Sequence, residues 1–238
     1  MIVCLDSGNT RIKWGVHDGR AWLAQGAVAH DEVGLLASLI ADWPRPHKVL
    51  LANVAGSEAG EAIRQQLLAW APLISEVVST AEAGGVKNLY QRPAQLGVDR
   101  WCALIGARSL SVQPCIVVMA GTATTIDSID AEGQFLGGMI LPGSALMLRA
   151  LARDTAGLPF ADGHHAAHPR CTDDAIVTGA IEAQVGAIER AYARLASPAG
   201  QCILSGGNAD VLAGHLVIPC RVAQNLPLEG LRKLALDL

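Results

Sequence analysis

The chain has 238 residues, 51% of them hydrophobic and 17% charged, which is enough apolar material for one large core or two halves of roughly 110 residues each. A net charge of −4 with scattered Lys and Arg gives no electrostatic footprint for a phosphate backbone, so nucleic acid is not the expected partner. No apolar run reaches the ~18 residues of a membrane span, and MIVCLD meets a carboxylate where a signal peptide would stay apolar, so a cytoplasmic protein without membrane contact is expected.

In chain order, the opening IVCLDSGNTRIK reads as a strand over 2–5, a tight Gly turn and a second strand over 11–16. A helical period over 32–41, an apolar run over 49–54 and a helical period over 61–70 follow. Next comes NLYQRP, a loop carrying Tyr90, one of only two tyrosines. In GVDRWCALIGARSL, Val98, Trp101, Cys102 and Ile105 share one helical face, so a helix over 98–110 places Asp99 and Arg100 on its first turn, directed away from that buried face. An acid there suits the helix dipole, and an Arg beside it can grip an anion with two donors.

The second half opens with a strand over 115–119, the turn AGTATT and a strand over 124–129. GHHAAHPR, with His164, His165 and His168, lacks Glu or Cys at ligand spacing and reads as a solvated loop. A long helix over 172–195 starts with Thr172 as its N-cap, ahead of Asp173 and Asp174. The strand over 202–204 feeds the turn SGGNAD and a helix over 211–216. The six cysteines lack CxxC spacing and sit mostly among apolar neighbours, as buried free thiols do.

The alternation of strands and helices sets the class as α/β. Overlaying IVCLDSGNT on IVVMAGTATT aligns Gly8 with Gly121, Asn9 with Thr122 and Asp6 with Met119. That match at the head of each half predicts a duplication, residues 1–112 and 113–238, with two similar halves around a cleft. The first turn exposes backbone N–H groups with Asn9, Thr10 and Lys13 as added donors, and the second offers Gly121, Thr122, Thr124 and Thr125 in the same way. Gly206 and Gly207 allow a flat ring to approach the backbone. No GxxxxGK[ST] occurs, which excludes a P-loop. An Asp that accepts a hydroxyl proton, an Arg for a carboxylate and two phosphate loops together suit a small-molecule kinase.

The succession DSGNTRIKWG, NLYQRPAQLGVDRW, AGTATTIDSID with GQFLGGMILPG, TDDAIVTGA and LSGGNAD resembles the type III pantothenate kinases, some of which have been called Bvg accessory factors. The resemblance runs from residue 2 to about residue 210. It implies the duplicated actin, sugar kinase and Hsp70-like ATPase fold (ribonuclease H-like). It also implies transfer of the γ-phosphoryl of ATP to pantothenate, the first step of coenzyme A synthesis, by a homodimer. Carried over by residue, Asp6, Ser7, Gly8, Asn9, Thr10, Arg11, Ile12 and Lys13 form the first phosphate loop, and Gly121 and Thr122 the second. Asp99 is the general base, with Tyr90, Gly97, Val98, Asp99, Arg100 and Thr172 around pantothenate, Gly206 and Gly207 on the adenosine side, and Asp6 near Mg²⁺. One position departs from the family. Where the second loop normally carries an Asp that binds K⁺ or NH4⁺, this chain has Met119, a poor ligand for a hard cation. A nucleotide-binding homologue that acts through a protein partner, and another kinase of the same fold, are the competing readings.

Overall fold

The structure, a computed structural model, describes residues 1–237. It divides into two compact units. Unit 1 comprises 1–112, 133–135 and 225–237, and unit 2 comprises 113–132 and 136–224.

Unit 1 is built on β1 (Ile2–Ser7), β2 (Arg11–His17), β3 (Trp22–Ala29), β4 (Lys48–Asn53) and β5 (Ile74–Glu76), in the order β3-β2-β1-β4-β5. β1 pairs antiparallel with β2 and parallel with β4, so it lies mid-sheet and all six of its residues are buried. A strand covered on both faces reads as a continuous apolar run, which is why IVCL lacks polar alternation. Val3 and Leu5 join Ile12, Val49 and Leu51 beneath α1 (Ala37–Asp42) and α2 (Ser57–Gln66), whose Leu39 and Ile63 enter the same core. Ile2 and Cys4 point to the other face, toward Val98 and Cys102 of α3 (Val98–Leu110). By the same period of two, Asp6 belongs to the α3 face. The short hairpin β6 (Glu82–Ala83) and β7 (Val86–Asn88) precedes α3.

Unit 2 repeats the plan. β8 (Cys115–Ala120) pairs antiparallel with β9 (Ala123–Ile129), β10 (Gln134–Pro142) follows, then α4 (Ser144–Asp154), α5 (Thr172–Arg194), β11 (Gln201–Ser205), α6 (Ala209–Ala213) and β12 (Cys220–Val222). Its strands run β10-β9-β8-β11-β12, and β8 is parallel to β11 as β1 is to β4. The two sheets therefore share one connectivity, first strand in the middle, which is stronger support for a duplication than a ten-residue overlay. The first two residues of β10, Gln134 and Phe135, are counted in unit 1, where they pair with Lys87 and Asn88 of β7.

The chain then returns to unit 1 as α7 (Leu226–Asp237), a helix that the sequence grouped with the second half. Its Leu228 and Leu231 lie in the core with Ile2, Cys4 and Val98. Two glycines allow this packing. A Cβ on Gly230 would fall on the Cys102 carbonyl, and one on Gly106 would fall on the Leu226 carbonyl, so α3 and α7 meet backbone to backbone.

Other differences have local causes. The helix expected over 32–41 is a 3₁₀ segment, His30–Leu36, with non-helical Glu32, followed by the short α1. The period over 61–70 splits into α2 and a 3₁₀ turn, Leu68–Leu73, containing Pro72. All six cysteines are free thiols, four of them buried.

Gly230→Ala is expected to lose about 3 kcal/mol in urea unfolding, because the new methyl meets backbone that cannot yield. Gly157→Ala, whose added methyl meets nothing within 4 Å, should change stability by less than about 0.5 kcal/mol.

Candidate active site

In unit 1 the first turn is closed by a hydrogen bond from the Gly8 N–H to the Arg11 carbonyl, 3.1 Å. Asn9, Thr10 and Arg11 are exposed and Gly8 and Lys13 half-buried, whereas the side chains of Ser7 and Ile12 are fully buried. Those two can present only backbone to a ligand. His30, which the sequence did not single out, holds the turn from behind, its Nε2 2.7 Å from the Gly8 carbonyl oxygen.

Asp6, the last residue but one of β1, lies directly across the ladder from Lys13. It is 7% exposed, and its Oδ1 has no hydrogen-bond partner among the described residues. Burial pushes its pKa from 3.8 to about 6, with Lys13 pulling it down and Asp99 pushing it up. The two carboxyls therefore lie close enough to feel each other, as strand parity requires.

Asp99 stands half-buried on the first turn of α3. Gly97 caps that helix, and a Cβ there would come 2.7 Å from the Asp99 Oδ1, so glycine leaves room for the carboxylate. Val98 points into the core and can offer only backbone. Arg100 corrects the sequence reading: it is 5% exposed rather than directed outward. Its Nη1 donates to the Tyr90 hydroxyl at 3.2 Å, and its guanidinium lies 5.8 Å and 5.9 Å from the ring centres of Tyr90 and Phe135. The rings, 5.2 Å apart, supply the electrostatic partner that makes burying a guanidinium tolerable. Tyr90 is fixed in turn by buried Asn88. That side chain accepts from the Tyr90 N–H at 3.0 Å and donates to the carbonyls of Thr80 and Pro93. Unit 1 thus holds two groups that meet at the adjacent Asp99 and Arg100 of α3: Asp6, Lys13 and Asp99, coupled by charge, and Arg100, Tyr90, Phe135 and Asn88, joined by hydrogen bonds and ring contacts.

In unit 2 the second turn is closed by Gly121 N–H to the Ala123 carbonyl at 3.1 Å, leaving Gly121 and Thr122 exposed. Thr124 and Thr125, expected as donors beside them, are 1% and 7% exposed. The ladder alternation turns Thr124 inward, where its hydroxyl donates to Gln184. Two further glycine turns abut this loop. Gly143 donates from its N–H to the Thr122 carbonyl at 2.9 Å, and Gly206, at φ +104°, has no room for a Cβ against the Ala120 carbonyl. Gly207 beside it is exposed. Met119 is half-buried opposite Thr125, whose Oγ1 is buried without a hydrogen-bond partner among the described residues.

Thr172 is the first residue of α5 and not its cap, which is Cys171, because the extended backbone ends one residue earlier. Thr172 lines an apolar cavity of about 790 Å³ with Pro142, Leu146, Met147, Ala150 and Ile176. His165 pairs with Glu182 at 2.7 Å and meets the His215 ring at a tilt of 43°, and no cluster of three metal-ligating side chains occurs among the described residues.

The sequence profile of the type III pantothenate kinases matches residues 2–194. A type III pantothenate kinase of Dechloromonas aromatica (strain RCB) is 68% identical over 236 residues, 99% of either chain. The chain belongs to the type III pantothenate kinase family. Among solved structures, a Campylobacter jejuni protein assigned as a Baf family transcriptional activator has a TM-score of 0.66 at 22% identity, covering 99% of this chain and 98% of that one. A Sinorhizobium meliloti protein assigned as a 2-dehydro-3-deoxygalactonokinase has 0.60 at 12%, covering 99% and 97%. Likeness at such identities concerns the fold, the duplicated sugar kinase and actin-like architecture that the family resemblance implied.

The raised Asp6 pKa gives this pantothenate kinase family member a measurable signature. A carboxyl whose pKa is higher folded than unfolded contributes stability that is full below pH 3.8 and lost as the pH rises through about 6. Asp6→Asn removes that titration. The stability of the wild type relative to Asp6→Asn is expected to fall by on the order of 2 to 3 kcal/mol between about pH 4 and 7, measured by urea unfolding without nucleotide or metal. A pH-independent difference would contradict the burial of Asp6.

Proposed function

We propose that the chain transfers the γ-phosphoryl group of ATP to the primary hydroxyl of pantothenate, giving 4′-phosphopantothenate for coenzyme A synthesis. Beyond family membership, one observation carries the residue-level reading. Asp99, at the start of α3, lies close enough to Asp6 to raise its pKa, beside an Arg100 locked against Tyr90.

In this reading Asp99 accepts the proton of the pantothenate hydroxyl as the oxygen attacks phosphorus. Arg100 cannot lose its charge, and Tyr90 and Phe135 hold it, so it orients the pantothenate carboxylate without side-chain searching. Tyr90, with the Gly97–Val98 backbone and Thr172, completes the contacts to pantothenate. The N–H groups and side chains of the turn from Asp6 to Lys13 bind phosphate oxygens, as do Gly121 and Thr122 in unit 2, with Gly206 and Gly207 on the adenosine side. A buried carboxylate oxygen without a partner is the donor a hard divalent ion prefers, so Asp6 would hold Mg²⁺. When bound, that ion neutralises charge on the ATP phosphates. A homodimer in the cytoplasm is part of the proposal, supported by the family resemblance and by the apolar cavity between α4 and α5. No described helix is long and apolar enough to cross a membrane.

The Met119 position does not fit a monovalent-cation site of the family's type, since a thioether replaces the carboxylate. Asp127, buried and two residues beyond Thr125 on β9, is the nearest carboxylate in sequence on that strand.

A coupled assay of ADP release tests the activity: pantothenate should drive release, and a rate equal to buffer with ATP binding intact would sink the proposal. Asp99→Asn should lower kcat by about 10² to 10⁴-fold with the unfolding midpoint little changed. Turnover in sodium or Tris buffer should persist without potassium, and a strict, saturable K⁺ requirement would remove cation independence.

A further inference from the structure

Gln184 lies midway along α5 and is completely buried, although its helical neighbours Ile181, Val185 and Ile188 form the apolar stripe of the unit 2 core. A polar amide on that stripe demands partners, and it has three. Its Nε2 donates to the Ala180 carbonyl at 3.3 Å and to the Ser144 Oγ at 2.6 Å, while its Oε1 accepts from the Thr124 hydroxyl. The Ala180 carbonyl can only accept, which fixes the nitrogen end of the amide. Thr124 must then donate inward, and Ser144 must accept. Asn208, in the SGGNAD turn, donates a second bond to the Ser144 Oγ at 2.9 Å.

Ser144 therefore receives two hydrogen bonds, which fill its lone pairs and leave its hydroxyl hydrogen as a donor without an assigned acceptor among the described residues. The residue is half-buried. It follows Gly143, whose N–H is bonded to Thr122 and whose Cα packs on the Gly121 carbonyl. The free hydroxyl hydrogen thus belongs to the junction of the three glycine turns of unit 2, Gly121–Thr122, Gly143–Ser144 and Gly206–Asn208. Neither the sequence reading nor the family resemblance marked it.

We propose that Ser144 donates its hydroxyl hydrogen to an ATP phosphate oxygen, and that Gln184 and Asn208 are positioning residues that hold it in that direction. This rests on the reading of Gly121 and Thr122 as a phosphate loop. Thr124, though nearer to that loop in sequence, is committed to Gln184 and contributes rigidity instead.

The test compares steady-state constants of the full-length protein, using pantothenate-dependent ADP release. Ser144→Ala should raise KM for ATP about tenfold or more, the loss of one hydrogen bond to a charged acceptor, and leave KM for pantothenate within about twofold. Ser144→Thr, which keeps the hydroxyl, should restore KM for ATP to within about threefold of wild type. Gln184→Met should raise KM for ATP in the wild type but add less than about twofold in the Ser144→Ala background, because its effect passes through Ser144. The inference is overturned if Ser144→Ala keeps the wild-type KM for ATP, or if Gln184→Met multiplies KM by the same factor in both backgrounds. Should Gln184→Met fail to fold, the Ala and Thr variants at Ser144 decide alone. Absence of ADP release in the wild type would instead overturn the kinase reading, and this inference with it.

Discussion

A carboxylate buried at the end of the central strand of unit 1 is the constraint to which the surrounding elements answer. Period-two alternation sends Asp6 to the same face as Ile2 and Cys4, toward the core they form with Leu50 and Ala52 of β4 and with α3 and α7. Removing a carboxylate from water is costly, and one lysine across the ladder offsets only part of that cost, since the pKa stays near 6. A second acid, Asp99, faces the same region and makes full ionisation of Asp6 harder still. An apolar residue at position 6 would make a more stable strand. The arrangement makes physical sense as a site kept ready for positive charge, and in the proposed reaction Mg²⁺ supplies it.

Unit 2 uses the same connectivity and the same glycine-backed turn without the charge. Where Asp6 stands in the first copy, Met119 stands in the second, and the polar atoms that organise its loop are neutral: Thr124, Gln184, Ser144 and Asn208. A neutral network in which the buried Gln184 amide is paired at both ends costs little desolvation and fixes hydroxyl directions, which a lone carboxylate cannot do. The duplicated scaffold has thus diverged in the physics of its two turns. One stores unfavourable charge, and the other sets the orientation of hydrogen-bond donors.

This division explains what could be read from the sequence. β1, β2, β8 and β9 were legible because both faces of the central strands are apolar and their turns carry glycine, and α3 began at Val98 and ended at Leu110 as its periodicity required. α7 was not legible, because Pro227 and Gly230 look like breakers; Pro227 stands at the second helical position, where its missing N–H costs nothing, and Gly230 is demanded by the Cys102 carbonyl. β3 and β10 were missed because they have one buried residue each, every second residue along most of their length is exposed, and glycine interrupts the apolar pattern. In the candidate site, Asp6 stood out in the overlay, where its counterpart is Met119, and Asp99 as an acid on the first turn of a helix beside an Arg. Gln184 carried a comparable signal, a polar residue on an apolar helical stripe, but a stripe is visible only once the helix phase is known.

Arg100 marks the limit of reading a helix by its own face. Its position on the first turn of α3 opposes the stripe formed by Val98, Trp101 and Cys102, and an isolated helix would expose it to water. What buries it comes from elsewhere in unit 1: Tyr90 on a loop pinned by Asn88, and Phe135 at the start of β10, paired to β7 beside Asn88. Two rings and one phenol oxygen satisfy part of the guanidinium, and its planar shape suits stacking in a way a lysine ammonium would not. A cation held this way has already lost its rotamer freedom before substrate arrives, so binding a carboxylate there carries a smaller ordering cost. In the proposed function, selection of an acidic substrate would rest on contacts between residues 45 positions apart, Tyr90 and Phe135, which no local periodicity encodes.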